Sequence, residues 1–410
     1  MIINEEYSFL PLGKKNSNLE CVRWHVVDFL DKLWQKPSRK GNVEGTKPLP
    51  NSRKDIVLSA STQSVGNPFV KIATGRAHTL AIKADGSLWS WGLNDYRQLG
   101  YETAKIIGTT PKQITVNGNV AIAAGREHSL ALKEDGSLWT WGSDAYGQLG
   151  YGTKNNWVPT RIVAIGIKAI AAGELHSIAL ATDGSLWTWG YNGFGQLGDG
   201  TTTNRVVPKQ INIQGVIAIA AGDAFTIGLK EDGSLWTWGA NVSGQLGDGT
   251  TMVSTSPKQI IAGDVRAISA RNFHTIALKK DGSLWAWGSN ACGQLGDGTT
   301  IDSLKPKQII AGGVQAIAVG GLHTIALKED GSLWACGANG SGQLGDGTTT
   351  NSATLKQIIS GGVQTIAAGQ DYTIALKTDG SLWGWGQNCF GQLGDGATIN
   401  NVTPKQIVYN

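Results

Sequence analysis

The string Asp-Gly-Ser-Leu-Trp begins at Asp85, Asp135, Asp183, Asp232, Asp281, Asp330 and Asp379, seven copies at intervals of 48 to 50 residues. A period of this length marks one supersecondary unit copied and stacked, because a unit that small cannot bury its apolar surface alone. In the fifth copy the unit reads Val265-Arg-Ala-Ile-Ser, then Phe273-His-Thr-Ile-Ala-Leu, then Ser283-Leu-Trp-Ala-Trp-Gly, then a long turn and Pro306-Lys-Gln-Ile. Each run is short, rich in β-branched and aromatic residues, and bounded by Gly, Asp, Asn or Pro, which is the punctuation of strands. The central Asp-Gly supplies the positive φ of a tight hairpin, so the second and third runs are expected to pair antiparallel. Tryptophans two apart, such as Trp285 and Trp287, fall on one face of their strand.

A lone four-stranded sheet of this kind leaves both apolar faces wet. Packing such sheets as blades around an axis buries both faces, and shutting the ring removes most exposed edges. Thirteen of the 16 tryptophans occupy the two blade positions, Cys336 alone breaking the pattern; burying one indole contributes roughly 2–4 kcal/mol. The expectation is an all-β, seven-bladed β-propeller over residues 67–410. The first repeat starts near Phe69 without a preceding Pro-Lys-Gln-Ile run, and the chain finishes on Pro404-Lys-Gln-Ile-Val408. The C-terminal strand is therefore expected to pair with the first blade and lock the ring.

Composition excludes several classes. The 57 glycines would suit a linker, but the tryptophans supply apolar area that disordered chains lack. Residues 1–66 hold ten Lys and Arg against seven Asp and Glu, and 67–410 hold 25 against 24. Neither part has the basic excess of a general nucleic-acid binder. Cys21, Cys292, Cys336 and Cys389 form no CxxC pair, in keeping with a reducing compartment. The start, Met-Ile-Ile-Asn-Glu-Glu, lacks a secretory pattern, and no run of about eighteen apolar residues occurs. A cytoplasmic protein without membrane contact is expected, a monomer rather than an oligomer.

The pattern Gly-x-x-His-[Ser/Thr]-[Ile/Leu]-Ala-Leu, then Asp-Gly-Ser-Leu-Trp-x-Trp-Gly, then Gly-Gln-Leu-Gly, as in Gly125-Arg-Glu-His128 and Gly147-Gln-Leu-Gly150, resembles the regulator of chromosome condensation repeat. The resemblance covers about 67–410 and implies the same propeller. Members of that family serve as guanine-nucleotide exchange factors, protein-binding platforms, an ultraviolet photoreceptor and enzyme inhibitors, so fold does not select function. The exchange factor for the GTPase Ran carries an inserted β-wedge, for which spacings of at most 50 residues leave no room here. The photoreceptor carries tryptophans between the Gly and His of several repeats. None stands there in this chain, from Arg76-Ala77 to Gln370-Asp371.

Positions shared by every repeat are expected to serve the blade. His78, His128, His176, His274 and His323 occupy one position, with Phe225 and Tyr372 in the remaining two copies. A metal set needs several donors around one ion, and Phe replaces this histidine freely, so a packed ring is the reading. Gln98, Gln148, Gln196, Gln245, Gln294, Gln343 and Gln392 are expected to satisfy buried backbone groups. Seven cations (Lys112, Arg161, Lys209, Lys258, Lys307, Lys356, Lys405) and the acids Asp199, Asp248, Asp297, Asp346 and Asp395 nearly balance, reading as a solvated strand face rather than an anion-binding rim.

Positions where repeats disagree carry more information. The loops of the first three blades hold Arg97, Tyr101, Tyr146, Tyr151, Trp157 and Tyr191, with Arg76 and Arg126 in the Gly-x-x-His turns. The equivalent loops of blades four to six read Ser, Thr, Asn and Val. Tyr, Trp and Arg concentrate binding energy at interfaces, so these eight form the expected partner-binding sector. No GxxxxGK[ST], HExxH, GxSxG or CxxC motif occurs, and neither a cofactor, a metal nor a catalytic set is expected. In residues 1–66, Ser17-Asn-Leu-Glu20 has capping-box spacing. Leu19, Val22, Val26, Phe29, Leu30 and Leu33 recur at helical intervals, predicting one amphipathic helix over about 19–36 and then a linker. The functional expectation is a non-enzymatic binding propeller for a protein partner such as a small GTPase. The alternative is a guanine-nucleotide exchange factor, and chromatin or DNA binding stands third.

Overall fold

The computed structural model describes residues 67–408, except 102, 104, 153–155 and 163–165 and the side chains of 156 and 157. The expected helix and linker of residues 1–66 lie outside the described residues. What is described is all β: seven sheets of four consecutive antiparallel strands, with no helix among the described residues. The blades span 69–114, 119–161, 167–211, 216–261, 265–310, 314–359 and 363–407. The first strands of neighbouring blades adjoin one another round the ring, Phe69–Thr74 meeting Val363–Ala368 to complete it. They line the axis, and the fourth strands form the outer wall.

Each motif has a local cause. In all seven hairpins the Asp carboxylate accepts the Ser N–H two residues on, and the Ser hydroxyl accepts the indole N–H of the first Trp, as in Asp85, Ser87 and Trp89. Gly86 sits at φ 77°, a conformation open to glycine at little cost. A lysine at the end of the second strand caps the same indole in six blades, Lys83 lying 4.0 Å from the Trp89 ring centre.

The second Trp works between blades. The main-chain carbonyl of the Gly-Gln-Leu-Gly glutamine accepts the indole N–H of the next blade, Trp141 to Gln98 at 2.8 Å, and likewise at Trp91, Trp189, Trp287 and Trp385. The same carbonyl accepts a Ser or Thr hydroxyl of that blade at 2.7–2.9 Å at all seven seams. Cys336 substitutes weakly, its Sγ 3.6 Å from Gln294 O; the buried Nε1 of Trp238 finds no acceptor among the described residues. The glutamine side chain accepts the N–H two residues before it in every blade, as expected for a buried backbone donor.

The five histidines are fully buried, and each Nε2 reaches the Ser or Thr hydroxyl of the following blade at 3.0–3.1 Å. That hydroxyl spends its proton on the Gln carbonyl, so Nε2 must be the donor, and burial keeps the ring neutral. The ring is thus packed, as expected, but it ties two blades rather than filling one.

The expected closure by strand exchange does not occur. Asn401–Ile407 pairs with Leu382–Gly386 of its own blade, Leu382 opposite Ile407 and Gly384 opposite Lys405. The reason is the phase of the repeat. Each Pro-Lys-Gln-Ile run folds back on the strand preceding its loop, so the first blade already holds Ile107–Ile114, with Leu88 opposite Ile114. No vacancy is left to fill. The ring shuts through side chains: Phe69, Ala81 and Trp91 pack with Tyr372, Ile374 and Leu376. Tyr372 stands in the histidine position and donates to His78 O at 2.6 Å, its oxygen also 3.1 Å from Thr79 Oγ1.

Two stability predictions follow from these seams. Tyr372→Phe, which recreates what blade four has at Phe225, should cost about 1–2 kcal/mol in denaturant melts; no loss would mean that the hydroxyl does not help hold the closing seam. Burial lowers the five histidines to about 3 from an ordinary 6.5. The unfolded chain therefore binds more protons between these values, and stability contributed by the neutral rings is full above pH 6.5 and lost as pH falls toward 3. Each ring contributes up to about 1.4 kcal/mol per pH unit in that window. His176→Phe should reduce proton uptake on acid unfolding by about one, measured from the pH dependence of the urea midpoint.

Candidate protein-binding face

Two kinds of loop emerge on opposite ends of the propeller. The Asp-Gly hairpins share one end with the links between blades, Asn119 N–H bonding Gly86 O. The Gly-x-x-His turns share the other with the long loops between third and fourth strands, Leu93 N–H bonding Ala77 O. The eight sequence-marked residues belong to this second end, and the geometry sorts them.

Around the axis, successive turns hand backbone bonds to one another: Arg126 N–H to Glu174 O, Glu174 N–H to Asp223 O, Asp223 N–H to Asn272 O. Arg126 is 8% exposed, its guanidinium 2.7 Å from Glu174 and 3.2 Å from Glu127. It is committed to two carboxylates and organises the mouth of the channel. Arg271, from the fifth blade, crosses to donate to Thr74 O at 2.8 Å and Ala368 O at 3.4 Å, bracing blades one and seven. Burial, with the charge of Glu174 added, pushes the Asp223 carboxyl up to about 7; burial also raises Glu127.

Beside this cluster the aromatic residues assemble. Tyr146 and Tyr191, from neighbouring blades, meet edge to face with centroids 4.9 Å apart, and Phe194 follows at 6.3 Å from Tyr191. Gly193 makes room for this, since a Cβ there would lie 2.2 Å from the Tyr191 hydroxyl. All three rings are half-buried, as are Tyr96 and Arg76 near them. Arg126, Tyr146 and Tyr191 are therefore brought together, with Arg76 on the adjoining turn.

The others serve elsewhere. Arg97 holds φ 65° at the position where the other six blades carry Gly, and its guanidinium donates to Thr103 O of its own loop. Tyr101 and Tyr151 stand where the other blades carry the Asp that follows Gly-Gln-Leu-Gly. Tyr101 packs below the outer strand with Lys112 4.2 Å from its ring centre, a cation–π pair in place of an ion pair. Trp157 lies in the strand Asn156–Arg161 on the outer wall.

The outer cations and acids are paired rather than independently solvated. Lys258–Asp248, Lys307–Asp297, Lys356–Asp346 and Lys405–Asp395 lie at 2.6–2.7 Å, each Asp side chain no more than 10% exposed. Sequence reasoning passed over Met252, Ile301 and Ile399, which are 73–74% exposed at one repeat position on the loop tips of blades four, five and seven. Their signal was an apolar residue two places beyond the Thr of Asp-Gly-Thr or Asp-Gly-Ala, where sister loops carry Thr203 and Thr350.

Four-stranded blades on an unbroken repeat, stapled by a main-chain carbonyl and presenting variable loops at one end, define a seven-bladed β-propeller. The chain belongs to the RCC1-like domain family, whose model matches residues 38–311 and again 212–410. Human WBSCR16 is similar in structure, with 21% identity, a TM-score of 0.72, and 79% of this chain and 94% of that one covered. So is Prp20p of Saccharomyces cerevisiae, described with its binding properties to Gsp1p and histones, at 21% identity and a TM-score of 0.71 over 84% and 87% of the two chains. A bifunctional serine/threonine-protein kinase/NEDD4-like E3 ubiquitin-protein ligase of Dictyostelium discoideum is 31% identical over 77 residues, 18% of this chain, and the match spans 4% of that relative.

The raised Asp223 carboxyl opposes stability as pH climbs from its unfolded value toward 7, the reverse of the usual acid. Asp223→Asn keeps an acceptor for the Asn272 N–H, 3.0 Å away, and removes the buried charge. It should raise the melting temperature at pH 8, the gain shrinking as pH falls toward 4; a lower melting temperature at pH 8 would contradict the assignment.

Proposed function

We propose that the chain is a non-enzymatic protein-binding platform, and that it meets a folded partner such as a small GTPase with the loop end of blades one to three. The observation that carries this is the Tyr146–Tyr191–Phe194 run beside the Arg126 cluster. Tyr146 and Phe194 share a repeat position with Tyr96 and Phe390, but Tyr191, which joins them, has no aromatic counterpart in the other blades. Half-buried tyrosines offer large contact area at small conformational cost, and the adjoining charges confer orientation. Prp20p, similar in fold, has binding properties toward Gsp1p and histones, which supports a GTPase as the class to try first.

A second reading, nucleotide exchange, needs no reacting side chain: it asks only that the propeller bind the nucleotide-free GTPase more tightly than the loaded one. Both are tested together. The chain and a Tyr146→Ala/Tyr191→Ala variant are titrated into a panel of small GTPases carrying a fluorescent guanine nucleotide, following both binding and nucleotide release. Binding weakened tenfold or more by the double variant is expected; accelerated release would favour the second reading. Equal binding by both forms would place the contact surface elsewhere.

A further inference from the structure

We propose that the cleft between the third and fourth blades binds an extended acidic peptide segment, with Lys209 and Lys230 as its cationic anchors. This concerns the outer wall and stands apart from the loop-end reading above.

The argument begins from a comparison of the blades with one another. In blades four to seven the lysine of Pro-Lys-Gln-Ile, or of Leu-Lys-Gln-Ile in blade six, closes on the Asp after Gly-Gln-Leu-Gly. The position opposite the blade's Trp-Gly glycine is then small and neutral: Ser254, Ser303, Ser352 and Asn401. In blade three that position is Arg205, opposite Gly190. Its guanidinium takes Asp199 with Nε at 2.7 Å and Nη2 at 2.5 Å. Both bonds converge on one carboxylate oxygen, Oδ2, and the planar guanidinium holds that geometry rigidly. Lys209 is displaced: it is exposed and forms no ion pair among the described residues.

The displaced ammonium lies in a cleft of about 590 Å³, lined by Lys209, Gln210, Asn212 and Gln214 on one side and Lys230 and Trp236 on the other. Lys230 rests 4.1 Å from the Trp236 ring centre; Glu231 and Asp232 follow it in the hairpin, and Asp232 accepts the Ser234 N–H while feeling the Lys230 charge. Asp199 also borders the cleft, but its charge is met by Arg205. The floor therefore presents two cations and three side-chain amides, a surface complementary to carboxylates and backbone.

Shape selects the ligand among acidic molecules. Arg205–Ile211 is the outermost strand of its blade, paired on one edge with Leu186–Gly190; on the other edge no strand of the described residues pairs with it, although Val206 O already accepts the Gly152 N–H of the preceding blade's loop. An extended segment can add to such an edge through main-chain bonds, its alternate side chains turned to one side. Acids two residues apart would then face the lysines together.

The test uses the whole chain and a fluorescein-labelled peptide of five Glu-Thr pairs, followed by anisotropy at low and moderate salt. Lys209→Gln should weaken binding five- to tenfold. Arg205→Ser, which gives blade three the residue of blades four to six, should do the same without touching either anchor, because Asp199 becomes free to capture Lys209. Lys307→Gln, the matching lysine of blade five, should leave binding within twofold. Absence of binding up to millimolar peptide, unaltered binding by Arg205→Ser and Lys209→Gln, or an equal loss in Lys307→Gln, which would mark diffuse attraction to the rim, each overturns the proposal.

Discussion

One main-chain carbonyl per blade, that of the glutamine in Gly-Gln-Leu-Gly, carries the architecture. It receives a Ser or Thr hydroxyl from the next blade at all seven seams and an indole N–H at five. An acceptor with two lone pairs, buried between two sheets, has to be satisfied, and here both of its partners come from the neighbour. At five seams the hydroxyl in turn accepts from the preceding blade's histidine. A seam is therefore a short relay of His, Ser or Thr, and Gln carbonyl, set in a wall of tryptophan. Because the relay runs from each blade to the next, the ring needs no strand exchanged between its ends. At the seam of blades seven and one the Thr79 hydroxyl and the Trp91 indole donate to Gln392 O as at other seams, and Tyr372, in the histidine position, donates to His78 O.

Much of this was legible before the structure. Seven strings at one spacing imply seven blades, and tryptophans two apart on a strand must share a face. Closure is not legible in the same way: the first repeat has no Pro-Lys-Gln-Ile run before it, yet its blade lacks no outer strand. The strand is present downstream of its own loop, and sequence phase alone does not say whether a copied run belongs to the blade before it or the blade after. Nor does it say that the shared glutamine acts through both its side chain and its backbone.

The site divides along similar lines. Comparing repeats singled out the first three blades, and in the structure Tyr146, Tyr191 and Arg126 of those blades converge. Tyr101 and Tyr151 are unusual as aromatics, but the residue each replaces says more about its place in the blade. They replace the outer Asp, and in blade one the lysine that would have paired with that Asp lies over the Tyr101 ring instead. Arg126 looked available because a turn residue is ordinarily exposed; its commitment to Glu127 and Glu174 depends on the closeness of two blades 48 residues apart in sequence.

The exchanges at the outer wall show how a repeat can acquire a new surface without a new fold. Each blade must accommodate one cation beside a core isoleucine, and blades three to seven an Asp as well, and several solutions are physically equivalent for the blade. Asp with Lys serves in blades four to seven, and Tyr with Lys in blade one. In blade three Asp pairs with Arg205, which leaves a lysine over. The blade is indifferent, but its surroundings are not, since only the last solution places an uncommitted ammonium above an unpaired strand edge. The same reasoning applies at the loop end, where the hydrogen-bond relay demands nothing of the residue at position 191. A tyrosine there can stack on Tyr146 because the adjoining blade brings that ring within reach.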